Sequence, residues 1–207
     1  MIDCKKALIK STGKNETRYG MSVVIDLSEN IDVIRSIYST KNSIPKNISK
    51  WFIWTEDHNY HLTILRCKSI YSDFSVNMET TEFIKNTFQN KCAFSISATL
   101  LRLDRDGIIR LYFNNIPSSF YNDIDMLAFS TVTGLQYQLI TNPWITFAYA
   151  SPKFINDIAS KYFAIVECLE KVSIKFQLNV NLITIVKYYD NAFRKKNTVL
   201  NIALGGL

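Results

Sequence analysis

Two four-residue stretches 83 positions apart hold the side chains best suited to chemistry: His61-Leu62-Thr63-Ile64 and Trp144-Ile145-Thr146-Phe147. On a β-strand, residues i and i+2 project from one face, so His61 and Thr63 share a side, as do Trp144 and Thr146. An imidazole with the ordinary pKa of about 6.5 takes or gives a proton near neutral pH. A threonine hydroxyl beside it can donate to an anionic oxygen and orient the group that carries it. The chain has only one other histidine, His58, which sits just before the same strand and so cannot act from an opposite side. Trp144 offers one N–H donor and no titratable nitrogen. Its flat face either stacks on a base or fills a core. Strict alternation puts Leu65 with His61 and Thr63, and Leu62, Ile64 and Arg66 on the other face.

The elements that must carry these residues follow a repeated order. MSVVIDL (21–27) alternates as a strand, and SENIDVIRSIYST follows with helical spacing of Ile31, Ile34, Ile37 and Tyr38 after a Ser28 cap. KNSIPKNISK reads as a polar loop before the His61 strand. VNMETTEFIKNTFQN places Val76, Thr80, Phe83, Ile84 and Phe88 on one helical stripe. FSISATLLRL (94–103) and IIRLYF (108–113) form a hairpin around Asp106-Gly107. SSFYNDIDMLAFSTVTG predicts a serine-capped helix with Phe120, Ile124 and Leu127 in register. WITFAYA (144–150) is the next strand, and PKFINDIASKYFAIVECLEKV predicts one amphipathic helix with Ile155, Ile158, Tyr162, Val166 and Leu169 inward. IKFQLNVNLITIVKYY reads as one long strand, and NTVLNIAL as a closing one. Strand, helix, strand, helix, strand is thus stated twice. Met21 to Ile108 is 87 residues, His61 to Trp144 is 83 and Phe94 to Ile174 is 80. Closely similar offsets together with the paired motif read as a duplication.

Composition bounds the function. With 47% hydrophobic and 20% charged residues over 207 positions, the chain suits one large globular domain and a sizeable core. Cys4, Cys67, Cys92 and Cys168 are scattered without a C-x-x-C, and two histidines are too few for an ordinary zinc site. Reduced thiols in a cytoplasmic protein are expected. The N-terminal stretch lacks the apolar core of a signal peptide, and no run of 18 apolar residues would span a membrane. The net charge of +6 permits a phosphate-rich partner without demanding one.

The paired strands within a duplication resemble the two-histidine phosphoesterase superfamily (2′-5′ RNA ligase and cyclic phosphodiesterase-like proteins), whose members carry two His-x-Thr/Ser-apolar motifs about this far apart. The resemblance covers roughly residues 20–205. It implies an α+β fold: a single bilobed domain over 1–207, a pseudo-two-fold duplication of β-α-β-α-β units (about 20–104 and 108–205), with antiparallel sheets lining a central cleft and helices outside. It implies cleavage of RNA-end, cyclic or 2′-5′ oligonucleotide phosphodiesters, with no cofactor or metal; the absence of long apolar runs adds the expectation of no membrane partner. His61, Thr63 and Thr146 then become the catalytic candidates, and Trp144, Tyr149 and Tyr189 the substrate-binding ones. Tyr112, Tyr188, Arg110, Lys187 and Arg194 supply further aromatic and basic groups. Trp144 stands where the family carries its second histidine. Losing one acid or base typically costs about 10² to 10⁴ in rate. An inactive nucleotide or RNA binder, or a protein-interaction module, is therefore the alternative.

Overall fold

A computed structural model describes residues 2–12, 20–68, 78–122, 124–125, 131, 136–188 and 196–205. Its strands are β1 (Gly20–Asp26), β2 (Phe52–Trp54), β3 (His61–Lys68), β4 (Phe94–Leu103), β5 (Ile108–Phe113), β6 (Gln136–Leu139), β7 (Trp144–Ala150), β8 (Gln177–Val180), β9 (Leu182–Tyr188) and β10 (Lys196–Ala203). The helices are α1 (Cys4–Thr12), α2 (Ile31–Asn42), α3 (Lys46–Ser49), α4 (Met78–Phe88), α5 (Ser118–Tyr121), α6 (Ile155–Ser160) and α7 (Tyr162–Glu170). The strands form two antiparallel five-stranded sheets, ordered β10-β9-β1-β3-β6 and β2-β7-β5-β4-β8. The α+β class with paired antiparallel sheets is thus as the sequence implies.

Each sheet draws on both halves of the chain. β2 precedes the His61 strand yet pairs with β7, and β6 precedes the Trp144 strand yet pairs with β3. β4 joins the second sheet and β9 the first. The long strand read over 174–189 is in fact two. It breaks at Asn181, so that β8 pairs with β4 in one sheet while β9 pairs with β1 and β10 in the other. One uninterrupted strand cannot serve two sheets.

Alternation builds the core. Met21, Val23 and Ile25 of β1, Leu62 and Ile64 of β3, and Ile145 and Phe147 of β7 all belong to one apolar cluster. Burying each such side chain stabilises by about 1.5–3 kcal/mol. The α4 stripe is as read, with Thr80, Ile84 and Phe88 buried, while Val76 lies outside the described residues. Helix α2 departs from its reading. Asn30, not Ser28, is the cap, its side chain accepting from Val33 N–H, while Ser28 bonds Asp26. Val33, Ile37 and Thr40 face inward, and Ile31 and Tyr38 are exposed. Of the helix read after Pro117, the described residues show α5 to Tyr121, with Pro117 rather than a serine before it, no helix at 124–125 and a helical Thr131; Leu127 lies outside the described residues. The single amphipathic helix over 152–172 is broken at Lys161 into α6 and α7. Ile158, Ile165 and Leu169 are its buried residues, and Tyr162 and Val166 are only partly covered.

The β4–β5 hairpin turns as its Asp-Gly pair predicts. Gly107 adopts φ +77°, and helix α1 lies over it so closely that a Cβ there would meet Ala7 Cβ at 2.4 Å.

Candidate functional site

The two motif strands share a backbone irregularity that one-dimensional alternation does not reveal. In the β1–β3 ladder Val24 faces Thr63 and Val23 faces Leu65, so Ile64 is an extra, bulged residue. In the β5–β7 ladder Arg110 faces Thr146 and Ile109 faces Ala148, so Phe147 is the extra residue. A bulge therefore follows each motif threonine. The strand exchanged from the other half caps each bulge: Ile64 O accepts from Ile140 N–H at 2.8 Å, and Phe147 O accepts from Thr55 N–H at 2.9 Å. Just before the motifs the same match holds, with Tyr60 O accepting from Leu27 N–H and Pro143 O from Phe113 N–H. β3 and β7 approach within 8 Å between Cα atoms, and the Tyr60 and Phe147 rings meet at 6.3 Å.

The bulges decide which side chains stand beside the motif. Leu65, read as sharing the His61 face, instead points into the core with Leu62 and Ile64 and is fully buried. Arg66, read as facing away, pairs with Ser22 and so joins His61 and Thr63 on the face turned from the core. The second bulge does the same for Tyr149, 83 residues later, which joins Trp144 and Thr146. His61 is half-buried and its Nδ1 lies 2.7 Å from Asn59 O. A carbonyl can only accept, so Nδ1 carries the proton and Nε2 is the basic nitrogen of the neutral ring. Thr63 is buried; Thr146 is half-buried. His58 is exposed at the 3₁₀ turn before β3, 3.4 Å from Glu56, and takes no place on the motif face.

Around Trp144 the second face is charged and tightly bonded. Trp144 is half-buried and lies outside the apolar core. The Arg110 guanidinium sits 5.5 Å from its ring centroid, and the Tyr112 ring 6.1 Å away. Arg110 grips Asp106 in a two-pronged ion pair at 2.9 and 2.8 Å and also donates to Asp104. Asp104 in addition accepts from Tyr112 Oη and from Arg102 Nε. Burial opposes the Arg110 charge, but hydrogen bonding and Coulomb attraction from Asp106, then Asp104, outweigh it and hold the guanidinium above its ordinary range. Burial, then the bond to Asp104, pushes the Tyr112 phenol up. The Arg110 Nε–H is buried without a partner among the described residues.

His61 and Thr63 therefore lie together on one motif face, and Trp144, Thr146 and Tyr149 on the other. Arg110 and Tyr112 join the second set and Arg66 the first. Tyr188 is on the first sheet, buried, its hydroxyl donating to Cys67 O. Tyr189 and Arg194 lie outside the described residues. Sequence reading missed Arg66 because nothing in Ile64 marks a bulge. A usable signal was present in the asparagines two residues before each motif, Asn59 and Asn142, which extend the match to Asn-x-His/Trp-x-Thr.

The described arrangement, two exchanged antiparallel sheets with helices, is a LigT-like α+β fold. In particular it is similar to a crystallised phosphoesterase (TM-score 0.57, 14% identity, 90% of this chain and 98% of that one). It is also similar to E. coli LigT complexed with NADP+ (TM-score 0.57) and with 3′-AMP (TM-score 0.52), at 13% identity over 90% of this chain and 98% of LigT. At these identities the likeness is one of fold. No protein-family model and no curated protein sequence matches the chain.

Proposed function

We propose that the chain is a two-histidine phosphoesterase-like protein, a single bilobed domain grown by duplication, whose site between the motif strands takes a phosphodiester of an RNA end or a small cyclic or 2′-5′ oligonucleotide. The observation that carries this reading is the matched pair of bulged strands, each presenting its motif residues on the face turned from the core. Nucleotide ligands in the structures of LigT support the substrate class. Thr63 and Thr146 donate to non-bridging phosphate oxygens, and Trp144 and Tyr149 contact the nucleoside. In hydrolysis a water oxygen forms the new bond to phosphorus and the bond to the leaving oxygen breaks. His61, held by Asn59, takes the water proton on Nε2, and solvent supplies the proton of the leaving oxygen. Hydrolysis of 2′,3′-cyclic nucleotides and 2′-5′ oligoadenylates tests this. His61→Ala lowers the rate by about 10²-fold or more; a rate that survives the substitution removes His61 from the mechanism.

A second reading rests on Trp144. A half-exposed indole backed by a guanidinium is a stacking platform and not a proton carrier. On that reading the protein holds a nucleotide without cleaving it, and calorimetry shows binding with no product.

A further inference from the structure

Beside the motif of the second sheet lies a shallow, open depression of about 390 Å³. That volume falls within the range of about 300–1,000 Å³ typical of small-molecule sites. It is lined by Arg102, Tyr112, Asn114, Asn115, Asn142 and Thr99, among others. Tyr112 connects it to the site, being the register partner of Trp144 across the β5–β7 ladder. Arg102 is the register partner of Arg110, which places both arginines on the Trp144 face. The depression thus continues the Trp144 face across β5 onto β4.

Its chemistry is that of a base reader. The Arg102 guanidinium lies 4.9 Å from the Tyr112 ring centroid and is tied by Nε to Asp104 at 2.8 Å, so a planar cation is held in place while its side chain stays 44% exposed. Nucleobases stack on guanidinium planes as well as on aromatic rings. The side-chain amides of Asn115 and Asn142 make no hydrogen bond to other described residues, and each offers two donors and an acceptor to the edge of a base. Positive charge here is balanced by Asp104 and Asp106, which disfavours a bare phosphate and suits a neutral ring.

Resting on the phosphodiester reading above, we infer that this depression is a second nucleoside subsite, which binds the base next to the phosphodiester held at the motifs. The protein therefore prefers a dinucleotide or longer ligand to a mononucleotide. Calorimetry with AMP and with a phosphorothioate-linked adenosine dinucleotide, whose linkage resists cleavage, tests it. The dinucleotide binds about tenfold tighter. Asn115→Ala/Asn142→Ala and, separately, Arg102→Ala each abolish that advantage while leaving AMP affinity within about twofold and the melting temperature unchanged. Equal affinity of the unsubstituted protein for the two ligands, or an advantage that persists in both variants, overturns the subsite and leaves the motif site standing. Binding of neither ligand overturns both.

Discussion

An indole cannot exchange a proton near neutral pH, yet Trp144 stands on backbone that matches that of His61 in register, in the following bulge and in the hydrogen bond that caps it. Asn142 precedes Trp144 as Asn59 precedes His61, so the carbonyl that orients the imidazole has a counterpart in the second half. On the phosphodiesterase reading proposed above, Trp144→His should therefore add a second acid or base and raise turnover of a cyclic phosphodiester by about 10²-fold. A steady-state rate that does not rise would show that the second half no longer positions a proton carrier. The His61–Thr63 pair was legible because a strand repeats every two residues. Arg66 was not, because a single extra residue reverses the facing of everything after it, and Ile64 is chemically indistinguishable from an ordinary strand residue.

At the level of elements, the hairpin between β4 and β5 positions the Trp144 side of the site, since β5 carries Arg110 and Tyr112. Gly107 bears two demands: a positive φ and contact with Ala7. Gly107→Ala should destabilise the fold by about 1–3 kcal/mol through backbone strain, with further cost from the clash, read as a lower urea midpoint. A midpoint within error of the parent would mean that the turn relaxes out of its positive φ and that α1 shifts freely off it. Elements with strong local signals were readable: the Asp-Gly hairpin, the WITFAYA strand, the α4 stripe. The short strands β2 and β6 were not, because three or four residues carry no period and their pairing partners lie in the other half of the chain. The break at Asn181 was hidden because strand-forming residues run on both sides of it, and only the switch of sheet interrupts the strand.

Across the whole molecule, tyrosines from separate regions resist ionisation together. Burial, with Asp57 second, raises the phenol of Tyr60; burial raises that of Tyr121; burial and Asp104 raise that of Tyr112. An unfolded chain releases these protons near pH 10 while the folded one retains them, so stability is whole below about pH 10 and falls as pH climbs beyond it. The slope is at most about 1.4 kcal/mol per pH unit for each fully protected phenol. Circular dichroism during alkaline denaturation should show this loss, and Tyr60→Phe should make it shallower; an unchanged slope would mean that Tyr60 ionises in the native state. The exchange of β2 and β6 has its own consequence. Each motif strand is stapled at its bulge by a segment whose chain runs on, within a few residues, into the opposite motif strand. Such reciprocal tethering ties the two motif strands to each other and opposes a jaw-like opening, so a ligand of the proposed site would meet it preorganised and spend little of its affinity on closing it.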